Sequence, residues 1–235
     1  MPGQDGKLPA RMQNKDLMPL HLTPDLLLRA YRLGLFPMAE NRDSQTLHWL
    51  DPDTRGVLPL HGFHLSRSLM KTLHAGRFTV TANRAFGAVI AACAAHRTNR
   101  TETWINHEIE RLFVELHQLG FAHSLETWDN GQLVGGLYGL SLSSAFFGES
   151  MFSTATDASK VALAHLVARL RLGGYTLLDT QFITDHLARL GAVEIPRHAY
   201  HTQLAQAMET PARFPANPDP AALMNELLTI RKENL

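Results

Sequence analysis

The first apolar run of this chain has the periodicity and the flanking residues of a helix. Thr23, Pro24 and Asp25 precede the segment LLLRAYRL. A hydroxyl N-cap, a proline in the first turn and an early acid are together the signals of a helix start. Gly34 is expected to end this helix. The following segment, 35–56, carries aromatic residues among turn formers and predicts irregular structure.

Short elements are predicted between residues 65 and 120. The pattern favours a helix at 65–76, a strand at 77–82 and a helix opened by Asn83. Asn106 is expected to cap a further helix that ends at Gly120. Its apolar residues share one face: Ile109, Leu112, Phe113, Leu116 and Leu119.

The second half of the chain predicts a sheet with helices. Two strand-like runs flank Asp129-Asn130-Gly131, a hairpin signal, and 143–149 reads as a third strand. Asp157 is expected to start a long helix that closes at Gly173-Gly174, followed by the apolar strand YTLLDTQF. Thr184 is expected to cap a brief helix that Gly191 ends, before a last strand, AVEI. These elements predict an α/β (α+β) fold.

Three regions are expected along the chain. Residues 1–20 are predicted to be a disordered or poorly ordered tail, 21–55 a small N-terminal domain, and 56–235 the main domain. No apolar run reaches the roughly 18 to 20 residues that cross a bilayer, and the N-terminus lacks the apolar core of a signal peptide. Cys93 is the single cysteine, which fits a reducing cytoplasm, and is expected to be a buried core side chain.

Charge is unevenly distributed although its sum is zero. The 22 basic and 22 acidic residues balance over the whole chain. Residues 54–101 hold seven of the basic residues and no acid: Arg55, Arg67, Lys71, Arg77, Arg84, Arg97 and Arg100. A localised positive face is typical of a polyphosphate partner, and a solvated face with distant counter-charges is the alternative. Arg67, Lys71, Arg77 and Arg84 are the candidate phosphate contacts.

A carboxylate and an amide stand two residues apart in the most apolar strand. Asp179 and Gln181 are expected to share one strand face, and a buried Asp needs a partner or a chemical role. Capping of the next loop is the competing interpretation. Ser150, His186 and Asp179 could form a hydrolase triad, but GESMF is not the G-x-S-x-G nucleophile elbow.

Metal binding is not predicted by the histidines. The 13 histidines form neither H-x-x-x-H nor H-E-x-x-H, and one cysteine cannot complete a zinc knuckle. Trp49 and Trp104 could stack on a nucleobase or fill the core.

Nine segments, taken in order, resemble the leucyl/phenylalanyl-tRNA–protein transferase family. The combination of GESMFS, DASK and D-x-Q-x-x-x-DH-L is the most specific part, and the resemblance spans about 24–205. The segments are RAYRLGLFPMAE (29–40), HWLDPDTRGVLPL (48–60), FHLSRSL (63–69), TWIN (103–106), LGFAHSLETW (119–128), LVGGLYGL (133–140), FFGESMFS (146–153), DASK (157–160) and LLDTQFITDHLARLGAVEIPR (177–197).

The resemblance implies a fold and an activity. The fold is a small N-terminal α/β domain followed by a catalytic domain with the N-acetyltransferase-like (GNAT-like) mixed sheet. The activity is transfer of Leu or Phe, and Met less well, from aminoacyl-tRNA to the α-amine of proteins with N-terminal Arg or Lys. Such transfer marks bacterial proteins for N-end-rule degradation. With this activity, the candidate phosphate contacts Arg67, Lys71, Arg77 and Arg84 are expected to bind the tRNA. The aminoacyl ester is already activated, so no metal and no diffusible cofactor are expected, and the enzyme is expected to be a cytoplasmic monomer without a membrane partner.

The resemblance also implies which residues form the site. Asp179 and Gln181 are the implied catalytic residues. Six others are implied to surround the aminoacyl-adenosine: Trp104, Leu137, Phe146, Glu149, Met151 and Leu178. Two departures stand out, because Met38 occupies a turn where the family often has tryptophan, and NKDLMPLHL replaces a glycine-rich segment.

Two other functions remain as alternatives. An acetyl-CoA-dependent N-acetyltransferase on the same fold would need a glycine-rich pyrophosphate loop before the long helix, where this chain reads MFSTATD without glycine. A non-catalytic tRNA-binding module is the third possibility, against which the polar pair in an apolar strand argues.

Overall fold

The computed structural model describes residues 22–95 and 103–233. The helices in this part of the chain are α1 Pro24–Arg32, α2 Arg67–His74, α3 Phe86–Ala94, α4 His107–Gln118, α5 Ala158–Leu172, α6 Asp185–Ala188, α7 Arg197–Glu209 and α8 Pro220–Glu233. The strands are β1 Phe36–Ala39, β2 Leu47–Leu50, β3 Thr54–Val57, β4 Thr79–Ala82, β5 Ala122–Asp129, β6 Gln132–Leu142, β7 Ala145–Ser153, β8 Leu177–Gln181 and β9 Val193–Pro196. The predicted tail, 1–20, lies outside the described residues.

A mixed sheet of seven strands organises the fold. Its order is β4-β5-β6-β7-β8-β3-β9, and every neighbouring pair is antiparallel except β7 and β8. The parallel pair is joined by α5, as a crossover between parallel strands requires. The predicted α/β class and its mixed sheet are therefore confirmed. β1 and β2 form a separate antiparallel hairpin.

Two apolar cores cover the two faces of the sheet. Successive strand residues point to opposite faces, so Phe147 and Leu177 join the core with α1, α3, α4 and α7, whereas Phe146 and Leu178 join the core with α2, α5 and α8. Tyr138 and Leu137 divide in the same way. α5 is buried nearly all round because α8 covers the side that the sheet does not.

Local signals placed most helix ends correctly. The side chains of Thr23, Asn106 and Thr184 accept hydrogen bonds from Leu26 N, Ile109 N and Leu187 N respectively, as N-caps do. Asn130 and Gly131 both have positive φ, which confirms the predicted hairpin turn between β5 and β6.

Four expectations about the helices and strands were wrong. Segment 35–56 holds β1, β2 and the start of β3, strands too short to show an alternating pattern. Asn83 does not cap α3, because its side chain accepts from Ser124 N on β5. Leu119 is exposed beyond the end of α4, and β8 ends before Phe182, which is 46% exposed.

The boundary near residue 55 stays a prediction. β1 and β2 pair only with each other, whereas β3 enters the main sheet between β8 and β9. Among the described residues, no helix is both long enough and apolar enough to cross a membrane.

Gly56 allows β3 to approach the end of β8 closely. A Cβ at this position would lie 2.8 Å from the Phe182 carbonyl carbon and 3.0 Å from Ile183 N, both of them backbone atoms. Gly56→Ala must therefore displace β3 or the segment after β8, and we expect it to lower the free energy of unfolding by about 1–3 kcal/mol.

Gly87→Ala in α3 is the matched control for this change. Its Cβ would meet no atom within 4 Å, and alanine is the better helix former, so its stability should be equal or up to about 1 kcal/mol higher. Urea unfolding of the three proteins measures the difference. Equal stability of the Gly56→Ala and Gly87→Ala proteins would contradict a tight contact between β3 and β8.

Candidate active site

A cavity of about 320 Å³ opens where β7 and β8 separate. The parallel pairing of these strands ends at Phe147 and Asp179, after which β8 pairs only with β3. The next residues of both strands line the cavity, namely 148–151 from β7 and 180–182 from β8 and the loop after it. A gap between diverging strands is a common position for a ligand site, because the backbone of both strands faces it.

Asp179 lies beside this cavity but is sealed from it. The residue is 0% exposed and does not line the cavity. Its Oδ1 accepts from Arg55 Nε at 3.0 Å, and its Oδ2 accepts from an Arg55 terminal nitrogen and from Tyr200 OH, each at 2.7 Å. Gln181 N donates to Oδ1 at 2.8 Å. Both carboxylate oxygens are therefore occupied by donors from within the protein.

Gln181 stands at the cavity wall in a left-handed backbone conformation. Its φ is +56°, which breaks the alternation of side chains along β8. Contrary to expectation, Gln181 therefore does not share a strand face with Asp179. Oriented to satisfy its surroundings, the amide nitrogen donates to Gly148 O at 2.9 Å and to Thr180 O at 3.3 Å. That orientation leaves the amide oxygen as an acceptor for a ligand.

Glu149, unlike Asp179, places its carboxyl group in the wall of the cavity. Tyr31 OH, from α1, donates to its Oε1 at 2.7 Å. Burial is the main reason that the pKa of Glu149 rises to about 8, with Asp179 adding to the rise, while the Tyr31 hydrogen bond and Arg55 oppose it. Glu149 is consequently protonated over much of the neutral range, and a cation at this position would favour its ionised form.

Most of the remaining wall is apolar. Leu137, Met151 and Leu178 line the cavity with Leu163 and Leu166 of α5. Trp104 and Met38 line it from the side of the β1–β2 hairpin. A wall of this kind suits an apolar side chain next to a few fixed polar groups.

Two candidate residues lie outside the cavity wall, and the proposed triad is not formed. Phe146 does not line the cavity but packs behind it, against Tyr175 and Phe214. Trp49, on β2, is 36% exposed and also lies outside the cavity wall. Ser150 and His186 do line it, but their proposed triad partner Asp179 is held by Arg55.

The four candidate tRNA residues are on the surface. Arg67 and Lys71 are exposed on α2, Arg77 pairs with Asp129, and the Arg84 guanidinium lies 5.3 Å from the Trp128 ring. Arg55 does not belong to this face, because it is buried and paired with Asp179. Arg97 and Arg100 lie outside the described residues. Within the described residues no cluster of three metal-ligating side chains occurs.

Sequence reasoning missed several residues of the site. Arg55 was counted as a surface charge, and Tyr31, Tyr200 and Phe182 were not singled out. Arg55 lies 124 residues from Asp179 in sequence, and Tyr31 lies 118 residues from Glu149, so no local pattern joins them.

Comparison with known proteins gives a consistent result. A family model described as leucyl/phenylalanyl-tRNA protein transferase matches 57–205, and the model of its N-terminal domain matches 21–53. The leucyl/phenylalanyl-tRNA–protein transferase of Paramagnetospirillum magneticum is 59% identical over 196 residues, which are 83% of this chain and 94% of the relative. That of Cereibacter sphaeroides is 56% identical over 211 residues, 88% of this chain and 97% of the relative.

A solved structure of L-PGS from Bacillus licheniformis is also similar. It is 11% identical, with a TM-score of 0.41, and the match covers 84% of this chain and 66% of that one, just under two thirds.

The raised pKa of Glu149 predicts how stability depends on pH. Between its ordinary value near 4.5 and about 8, the folded protein holds a proton on Glu149 that the unfolded chain releases. The contribution of Glu149 to stability therefore falls as the pH rises through this window. Urea unfolding at about pH 5.5 and about pH 8 should show the wild type losing stability relative to Glu149→Gln. A difference between the two proteins that is independent of pH would mean that Glu149 is ionised throughout.

Proposed function

The chain belongs to the leucyl/phenylalanyl-tRNA–protein transferase family, and we propose that its transfer reaction takes place in the cavity between β7 and β8. The enzyme is an aminoacyltransferase that uses aminoacyl-tRNA and protein as substrates. The observation that carries the assignment of the site is the position of Gln181 and Glu149 on one apolar cavity. The Gln181 amide can accept a hydrogen bond from the attacking amine, and the buried Glu149 carboxylate can bind the cationic residue of the acceptor.

The donor side chain, Leu or Phe and less well Met, occupies the apolar part of the cavity. Leu137, Met151 and Leu178 offer it no polar partner, so selection rests on shape. Trp104 offers a ring at the same wall for the terminal adenosine. Phe146 supports this wall from behind.

The acceptor brings a cationic N-terminal residue, Arg or Lys, towards Glu149. Asp179 is the other carboxylate of the region, but its oxygens are already bound by Arg55, Tyr200 and the Gln181 N–H. Glu149 is held by one hydroxyl only among the contacts described, which leaves its other oxygen for a guanidinium or ammonium group. Proteins tagged in this way would be the substrates of N-end-rule degradation.

Gln181 aligns the attacking amine. The α-amine, with a pKa near 7.7 to 8, is roughly 10 to 20% neutral at pH 7, and the aminoacyl ester is already activated. The nitrogen attacks the ester carbonyl carbon while its N–H donates to the Gln181 amide oxygen. The C–N bond forms, the bond to the ribose oxygen breaks, and the neighbouring ribose hydroxyl relays the proton to that oxygen. Alignment of the two substrates supplies most of the acceleration.

The body of the tRNA lies on the exposed basic residues. Arg67, Lys71, Arg77 and Arg84 are suited to phosphate contacts, which hold any tRNA body equally. The enzyme acts in the cytoplasm as a monomer without metal or diffusible cofactor.

One assay tests this function directly. The chain is incubated with leucyl-tRNA and a peptide that begins with Arg, and a parallel reaction contains acetyl-CoA in place of the tRNA. Mass spectrometry should find leucyl-peptide in the first reaction and no acetyl-peptide in the second. Acetyl-peptide as the product, or tRNA binding without transfer, would refute the proposal.

Gln181→Asn is the sharpest test of the amide. Asparagine adopts positive φ more readily than most residues, so it keeps the backbone while it shortens the reach of the amide by one methylene. We expect kcat to fall at least about tenfold, roughly 1.4 kcal/mol in barrier, with tRNA affinity little changed. Gln206→Asn, on the exposed face of α7, is the control and should keep the wild-type rate. A normal rate for Gln181→Asn would remove this amide from the reaction.

Glu149→Gln tests recognition of the acceptor. We expect transfer to Arg- and Lys-peptides to lose on the order of 1–3 kcal/mol while transfer to an Ala-peptide changes less. In the wild type the Arg-to-Ala preference should rise from about pH 6 to about pH 8, as Glu149 ionises, and in Glu149→Gln it should stay level. Equal slowing with all three peptides would instead mean that Glu149 only supports the donor pocket.

A further inference from the structure

We propose that Arg55 is a positioning residue of the transfer reaction, which acts through Asp179 on the backbone of Gln181. The inference rests on the proposed function for its kinetic consequence. It assigns a role to a side chain of β3 that does not itself line the cavity.

The Arg55 guanidinium is held on every side by the protein. Two of its nitrogens donate to Asp179, and the third donates to Gly34 O at 2.9 Å, in the turn after α1. Its central carbon lies 4.4 Å from the Phe36 ring centroid and 4.3 Å from that of Tyr200, so the plane of the fork is fixed between two aromatic rings. Burial lowers the pKa of Arg55, but Asp179 more than reverses this, and the group stays charged.

Asp179 passes this constraint to Gln181. Its Oδ1 accepts from both Arg55 Nε and Gln181 N, so one oxygen atom joins the guanidinium to the backbone of the amide-bearing residue. Gln181 is not glycine, yet its φ is +56°, a conformation that persists only where surrounding contacts impose it. The hydrogen bond from Gln181 N to a charged carboxylate is the contact that does so within the turn.

Loss of the Arg55 fork should therefore release Gln181 while the apolar donor wall of Leu137, Met151 and Leu178 stays in place. An Asp179 carboxylate without its counter-ion would be free to rotate away from Gln181 N, and Tyr200 alone holds only Oδ2. Gln181 would then relax from positive φ, and its amide oxygen would leave the position where it accepts from the amine. The chemical step should suffer, whereas the binding of both substrates should not.

Four variants test this chain of contacts: Arg55→Met, Arg55→Lys, Asp179→Asn and the double variant Arg55→Met/Asp179→Asn. Arg171→Met is the matched control, because Arg171 is also a largely buried arginine paired with two carboxylates, Glu226 and Glu233, but it joins α5 to α8. The kcat and the KM for leucyl-tRNA and an Arg-peptide are measured for each. Hydrogen exchange of the 177–183 peptide reports on Gln181 independently of any activity.

Arg55→Met should lower kcat at least tenfold and change either KM less than threefold. Arg55→Lys should be intermediate, because it keeps the charge and loses the fork. The double variant should match Asp179→Asn within about twofold rather than multiply the two losses, because Arg55 acts only through Asp179. Exchange in 177–183 should rise in Arg55→Met and stay at the wild-type level in Arg171→Met, which should also keep its kcat.

Three results would overturn the inference: multiplied losses in the double variant, a raised KM with unchanged kcat, or exchange in 177–183 that Arg55→Met leaves unaltered. If Arg55→Met does not fold, Arg55→Lys is compared with the wild type instead. An Arg55→Lys protein with the kcat of the wild type and with its hydrogen exchange in 177–183 would refute the role of Arg55. Failure of the proposed function shows differently, as a wild type that does not transfer.

Discussion

A buried ion pair between Arg55 and Asp179 is the interaction on which the rest of the site depends. Both side chains are fully buried, and charges without water are tolerated only when their hydrogen bonds are complete. The hydrogen bonds of this pair join four elements: β3, β8, α7 and the turn after α1. Removal of one charge alone would leave the other uncompensated, at a cost of about 3–5 kcal/mol. Through Asp179, the pair holds the backbone of Gln181 at the edge of the cavity.

The two carboxylates of this region have opposite environments and therefore different roles. Asp179 is surrounded by donors and a cation, which makes it a fixed part of the framework. Glu149 meets one phenol and apolar walls, and burial raises its pKa to about 8. A carboxyl group with this pKa can lose its proton when a cationic acceptor binds beside it. In the proposed reaction, Gln181 presents an uncharged acceptor to the amine, so no strong base is required.

The sequence predicted the parts of this structure that local chemistry determines. Thr23, Asn106, Thr184 and the Asn130-Gly131 turn were placed correctly because caps and turns depend on neighbouring residues. The family resemblance, not periodicity, pointed to the donor cavity and to Glu149. What could not be predicted depends on contacts between distant residues. The charge pattern places Arg55 on a positive surface because its partner lies 124 residues away. Asn83 forms no helix cap because its side chain accepts from Ser124 N on β5.

A structure of the enzyme bound to an aminoacyl-adenosine analogue with an amide in place of the ester would test the central claim most directly. That claim is that Asp179 holds the framework while Gln181 and Glu149 face the substrates. The apolar side chain should lie against Leu137, Met151 and Leu178, with Gln181 still at positive φ and its amide oxygen turned to the position of the attacking nitrogen. Asp179 should remain paired with Arg55 and touch no ligand atom. A ligand that contacts Asp179 directly, or a Gln181 that has left the left-handed conformation, would contradict it.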